Sequence, residues 1–339
     1  MQPKPRNFTV TRKNSWVTLR RMESCRKSFG PFSSLSICLA ALLFSGSAKG
    51  GEVVAPTAPA APADSGAGGT VSPFSWETSA EASGIARSPF EGGRAVGKVE
   101  VLDSNGSVIG SYQASAGIGL RFGLEFQRDT FGLPTGAPLP DRLQAFNLVL
   151  GADLQLGDAW LMRLEAQPGF YGEDAGIRGR DLSCPLIVGG SYFVNSDLQF
   201  VAGISYDPNR NYVVLPGIGL RWKFATDWVL NGVPPTPRIE YSMTKSLTLY
   251  AGADLRSSSY RMGDDFGRSH GIPQLDDAVV DYTEIRVGAG ATWKINSVVT
   301  MQIESGCVLV DQFDFHRDDV RFRSTETPPY GGISLKAAF

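Results

Sequence analysis

Asp254 and Arg256 stand two residues apart in the chain, and so do Glu284 and Arg286. Side chains at i and i+2 of a strand share a face, so each pair sets opposite charges side by side on one side of a sheet. Arg121, Glu125, Arg163, Glu165, Arg221 and Glu304, with Asp153 and Lys336, fall on the matching polar face of their own stretches. A sheet face of mixed sign supports one of two chemistries. Around a water-filled path it makes a transverse field that selects small hydrophilic solutes. In a filled interior the same arginines and carboxylates pair with one another, and every charge finds a partner.

Catalytic chemistry has thinner support. The chain has two histidines, His270 after Ser269 and His316 after Phe315. His316 with Asp314 or a neighbouring serine is the one candidate for a Ser-His-acid arrangement. No Gly-x-Ser-x-Gly, Cys-x-x-Cys or His-x-x-x-His occurs. Asp264-Asp265, Asp276-Asp277 and Asp318-Asp319 are paired loop acids, read as solvated, with divalent-cation bridging as the weaker reading. No catalytic residue, metal ligand or cofactor is expected.

The elements that position the charges are strands. From Phe74 onward period-2 alternation dominates. In residues 246–256 Leu247, Leu249, Ala251, Ala253 and Leu255 face one way, while Thr248, Tyr250, Gly252, Asp254 and Arg256 face the other. Residues 283–294, 159–171 and 118–127 repeat the pattern. These runs of ~9–14 residues are longer than the ~5–6 of soluble sheets and match tilted membrane-crossing strands. Short connections at 157–158, 195–197, 225–227, 244–245 and 296–297 take turns with longer ones at 131–141, 172–182, 208–212, 261–278 and 314–328. The pattern predicts strands near 74–84, 97–114, 118–130, 142–155, 159–171, 183–194, 198–207, 213–224, 228–233, 236–243, 246–260, 279–294, 298–313 and 329–339. That is fourteen, an even count as both ends on one side require. Two places are weak. Asp103-Ser104-Asn105-Gly106 alone reads as a hairpin turn, so 97–114 is expected to be one irregular strand or a long loop feeding it. Pro234, Pro235 and Pro237 crowd the tip of a short hairpin, and without it the count is twelve.

Aromatic residues sort by height. Trp160, Trp222, Trp228 and Trp293 lie within three residues of a short turn, and Trp76 opens the first strand. Phe170, Tyr206, Tyr260, Tyr282, Phe313 and Tyr330 are expected at the opposite ends. Two aromatic girdles are what the two water–lipid interfaces select. The last strand alternates Gly331, Ile333, Leu335, Ala337 and Phe339 with Gly332, Ser334, Lys336 and Ala338. It resembles the terminal strand of Gram-negative outer-membrane β-barrels. The resemblance covers 74–339 and implies an all-β, antiparallel up-and-down transmembrane barrel in the bacterial outer membrane. It also implies that Phe339 is an address for the barrel-assembly machinery. The blocks Trp228 with Pro234-Pro235-Thr236-Pro237-Arg238-Ile239-Glu240-Tyr241, and Val280-Asp281-Tyr282-Thr283-Glu284, resemble those of an uncharacterised family of such barrels, which brings no substrate.

Residues 1–31 hold eight Lys or Arg against Glu23. The apolar run Leu35–Phe44 and the small residues Ser45-Gly46-Ser47-Ala48 follow. Residues 1–48 therefore read as a signal peptide cut after Ala48, with Met22 as an alternative start. Residues 49–73, rich in Ala, Pro and Gly, read as a periplasmic spacer. Cys184 and Cys307 are expected as free thiols on lipid-facing positions. The net charge of −2, with no basic stripe past the N-terminus, argues against a nucleic-acid binder. The expected partners are outer-membrane lipid and lipopolysaccharide. The expected function is a passive channel for small hydrophilic solutes, lined by the charged residues above. A closed structural barrel is the alternative, and a lipid-modifying enzyme built on His316 the weaker one.

Overall fold

The computed structural model describes residues 73–93, 95–173 and 178–339; the expected leader, and the expected spacer up to residue 72, lie outside them. Fourteen antiparallel strands close into one barrel. They are β1 Phe74–Glu91, β2 Ala95–Ser115, β3 Ile118–Gly132, β4 Arg142–Leu156, β5 (Trp160–Ala166 and Gly169–Gly172), β6 (Leu182–Ser183 and Leu186–Phe193) and β7 Leu198–Tyr206. The second half comprises β8 Val214–Ala225, β9 Trp228–Asn231, β10 Arg238–Ser242, β11 Leu247–Arg261, β12 Val279–Lys294, β13 Val299–Phe315 and β14 (Val320–Ser324 and Pro329–Ala338). Each strand pairs with its sequence neighbours, and β14 closes on β1 from Glu77 opposite Ala338 to Ile85 opposite Tyr330. The C-terminal residue is tied in as well: the Phe339 amide donates to the Trp76 carbonyl, and the Trp76 amide donates back.

Local chemistry explains the interruptions and turns. β5 and β6 break at Pro168 and Pro185, residues without a ladder donor; there the prolines serve only as acceptors, from the Leu148 and Gln167 amides. The short turns are preset by side chains that accept from the backbone ahead of them. Asn195 accepts from the Asp197 and Leu198 amides, Asn296 from Val298 and Val299, and Thr244 from Ser246 and Leu247.

Both weak places resolve. Asp103-Ser104-Asn105-Gly106 is regular strand, laddered on one side to Ser83–Ala80 and on the other to Asp129–Phe126. The proline-tipped hairpin belongs to the wall, its short strands pairing with β8 and β11. The expected connection 314–328 is partly strand, because β13 and the first part of β14 continue the hairpin to Phe315 and Val320.

Trp76, Trp160, Trp222, Trp228 and Trp293 are all exposed on the outer surface, forming one girdle at the short-turn end. The opposite girdle differs from expectation. Tyr206 is exposed, but Tyr260, Tyr282, Phe313 and Tyr330 are buried. Tyr260 and Tyr282 sit at even positions and so share the inward face with Arg256 and Glu284. Phe313 is turned inward by a bulge: Arg286 pairs with Val308 and Ile285 with Val310, leaving Leu309 as an extra residue on β13. Beyond it Asp311, Phe313 and Phe315 face inside. Cys184 is exposed and free, whereas Cys307 is buried and is not a free thiol.

These inward aromatics join a hydrophobic core in the outer half of the barrel. Phe131, Leu139, Leu143, Phe266, Leu275 and Phe313 are among its wholly or nearly wholly buried members. Part comes from the β11–β12 loop, which carries a one-turn helix, α1 Phe266–Ser269. The wall also pinches shut there. The top of β11 meets the opposite wall, with Arg261 beside Gly172 of β5 and the Tyr260 hydroxyl donating to Asp129 of β3 at 3.3 Å.

Candidate functional site

Directly below that core lies a belt of charge. Arg286, on β12, is 0% exposed. Its Nε donates to Glu284 at 2.7 Å and its Nη1 to the Ser83 hydroxyl at 2.7 Å, while Nη2 reaches Asp103. Its guanidinium lies over the Tyr330 ring, 5.2 Å from the centroid. Arg256, one strand away, donates to Asp254 at 2.6 Å and Glu81 at 2.5 Å, with Asp103 at 3.6 Å. Ser83 donates to Asp103 and Tyr282 to Glu284. β12 and β2 are four strands apart around the wall, as are β11 and β1. Side chains on them can meet only through the lumen.

A second cluster runs along the wall of β3, β4 and β5. Arg121 pairs with Glu165 at 3.1 Å, and Arg163 holds Asp153 with two bonds of 2.7 and 2.8 Å. Asn147 donates to Glu125 at 3.1 Å. Gly151 stands between Arg121 and Glu165 in register. Having no side chain, it lets the ion pair pass across its strand.

Toward the short-turn end, Glu304 accepts from the Tyr250 hydroxyl at 3.0 Å. Arg238 lies 5.0 Å from the centroid of the Tyr250 ring. A cavity of about 140 Å³ opens here, lined by Glu81, Tyr250, Asp254, Arg256, Glu304 and Lys336 among others. Arg221 is exposed at the same end and makes no ion pair with a described residue.

The residues singled out from sequence thus occupy three places. Asp254, Arg256, Glu284 and Arg286 make the central belt. Arg121, Glu125, Arg163 and Glu165 line one wall, and Glu304 and Arg221 sit lower down. The belt's central acceptor, Asp103, was missed, and so were Ser83 and Glu81. Asp103 lies in a tetrapeptide with the composition of a turn, and nothing local reveals that it faces two arginines from across the barrel.

The histidines do not build a triad. Asp281, not Asp314, lies beside His316, 3.5 Å from its Nδ1. The Ser259 hydroxyl donates to that same Asp281 at 2.7 Å. The carboxylate therefore stands between serine and histidine, where nucleophile activation needs the imidazole in the middle. Asp314 instead holds Arg321. His270 Nδ1 sits against the Phe266 carbonyl and the Ser269 hydroxyl. The loop acids face arginines: Asp264 and Asp277 lie against Arg180, and Asp276 against Arg268.

No family model and no curated protein matches this chain. Solved structures similar to it are outer-membrane barrels. An outer membrane channel from Pseudomonas putida F1 is 12% identical, with a TM-score of 0.41, over 80% of this chain and 97% of that one. The toluene transporter TodX of P. putida is 8% identical, with a TM-score of 0.38, over 80% and 91%. A Pseudomonas aeruginosa FadL homologue is 10% identical, with a TM-score of 0.31, over 78% and 90%. Closure on fourteen strands, an apolar outer surface, a tryptophan girdle and a charged interior make this chain a transmembrane β-barrel.

Proposed function

We propose that the protein is a passive outer-membrane channel for small hydrophilic solutes, whose structure is the closed conformation. The observation that carries this reading is the charged belt at mid-barrel. Filling a lumen with apolar side chains is often as stable as filling it with buried ion pairs, or more so. A belt that buries Arg256, Arg286, Asp103 and Glu284 across the lumen therefore asks for a role beyond stability. A polar constriction that solutes cross when it separates is such a role. Acids outnumber bases around it: Glu81, Asp103, Asp129, Asp254, Glu284 and Asp311 surround Arg256 and Arg286. An opened belt would favour cations. The closed structural barrel is the second reading, favoured by the aromatic core that fills the outer half.

Planar-bilayer recording separates the two. The wild-type protein is expected to open rarely, in discrete steps with cation preference. Glu284→Ala and Arg286→Ala are expected to open more often and to shift the reversal potential. Folded protein, shown by its heat-dependent gel mobility, that passes no current in wild-type or variant form would establish the structural barrel instead.

A further inference from the structure

Tyr250 and Tyr330 lie against the lumen wall below the charged belt, and glycines make the room for them. Gly252 stands opposite Gly288 in the β11–β12 ladder, and Gly288 opposite Gly306 in the β12–β13 ladder. A Cβ on Gly288 would press into the Tyr330 hydroxyl, and one on Gly290 into the Tyr250 hydroxyl. Glycine inside a strand marks such a close approach. With both rings held to the wall, the middle of the lumen stays open, and this is the cavity of about 140 Å³. It has room for roughly five waters at ~30 Å³ each, so it suits a molecule of a few heavy atoms.

Most charges around this cavity are already paired. Arg256 holds Asp254 and Glu81, and Arg238 holds Glu240 at 2.8 Å. Two opposite charges remain. Glu304 accepts from the Tyr250 hydroxyl at 3.0 Å and the Gln302 amide at 3.4 Å, but no cation among the described residues pairs with it. The Lys336 ammonium, which also lines the cavity, has no carboxylate partner among them. Glu304 pairs with Gly332 in the β13–β14 ladder and Thr300 with Lys336. Four rungs, roughly 13 Å of strand, thus separate the two charges along the wall. Tyr330 adds a third group. It is 7% exposed, yet its hydroxyl lines the cavity and has no hydrogen-bond partner among the described residues. A polar atom so nearly buried is one that a ligand can satisfy.

We propose that this cavity binds a small zwitterion of the amino-acid class. Glu304 and the Tyr330 hydroxyl oxygen take the ammonium, and Lys336 takes the carboxylate. A simple cation would leave Lys336 unmatched, and a simple anion would leave Glu304 unmatched. A neutral solute would match neither, and a site built around polar groups rejects a molecule that leaves them unpaired. A zwitterion loses water at both ends and gains a counter-charge at both. The flexible four-carbon stem of Lys336 lets its ammonium follow carboxylates at different distances, so the site selects a class and not one member. Binding rests on the cavity alone; that the bound molecule is also a transported solute rests on the channel reading.

The test is ligand-observed NMR on the folded barrel in detergent micelles, with L-alanine and its two halves, ethylammonium and propionate, as probes. L-alanine is expected to bind, and each half to bind roughly tenfold or more weakly, since each lacks one charge-assisted contact. Lys336→Met should weaken L-alanine and leave ethylammonium unchanged. Glu304→Gln, which keeps an acceptor for Tyr250, should weaken L-alanine and leave propionate unchanged. No binding of L-alanine to the folded wild-type protein would overturn the proposal, and so would either half binding as well as L-alanine. Should Glu304→Gln not fold, Lys336→Met decides alone: unchanged L-alanine binding in that variant overturns the site. L-alanine binding by a barrel that passes no current in planar bilayers would remove the channel reading and leave the site standing.

Discussion

Replacing Arg286 with alanine should destabilise the barrel by about 3–5 kcal/mol, the cost of breaking a buried ion pair by removing one partner. The guanidinium is wholly buried and donates to Glu284, Ser83 and Asp103. Its loss leaves two carboxylates, each 2% exposed at the side chain, without their main counter-charge. Arg286→Lys should recover only part of the loss, because an ammonium keeps the charge but cannot reach three acceptors with a planar fork. The triple change Asp103→Asn, Glu284→Gln, Arg286→Met removes charges of both signs together and should cost much less than Arg286→Ala alone. Arg221→Ala is the internal control. Arg221 is exposed and unpaired among the described residues, and its loss should stay within about 0.5 kcal/mol. Urea unfolding in detergent micelles, followed by tryptophan fluorescence and by gel mobility with and without boiling, measures all four. If Arg286→Ala and Arg221→Ala unfold at the same urea concentration, the belt does not hold the barrel as argued.

Two further outcomes follow from the placement of particular side chains. Phe313→Ala should cost about 3–5 kcal/mol, because it leaves a cavity against Phe90, Phe131 and Tyr282. Lipid-facing Phe126→Ala should lose only the transfer term of about 1.5–3 kcal/mol, since lipid fills the space; equal losses in urea unfolding would contradict an inward Phe313. His316→Ala should leave lipid A and phospholipid profiles unchanged on mass spectrometry of expressing cells, because Asp281 separates His316 from Ser259; a lipid change abolished by this substitution would reopen the enzymatic reading.

Features written in short-range periodicity were readable in the chain. Alternation placed Asp254, Arg256, Glu284 and Arg286 on one face, since side-chain direction in a strand depends only on position parity. The same rule already held Tyr260 and Tyr282 on that face, and their expected girdle role ignored it. Trp222 and Trp228 marked the membrane boundary because an amphipathic ring gains at the interface whatever its tertiary neighbours. Pro168 and Pro185 marked breaks because the missing N–H is local.

Parity fails at a bulge. One extra residue at Leu309 inverts the face of everything after it, so Phe313 enters the core against the pattern. Partnership across the lumen is not local either. Asp103 meets Arg256 and Arg286 only because closure of β1 on β14 and the register of each ladder bring strands four apart to the same height. The outer half is shut for the same kind of reason, since Tyr260 must cross the lumen to reach Asp129. By itself the sequence determined which residues of an unbulged strand face inward and which face lipid, a property of each strand alone. Tertiary structure decided which inward charges meet and where the lumen closes, because these depend on register and closure summed around the whole barrel.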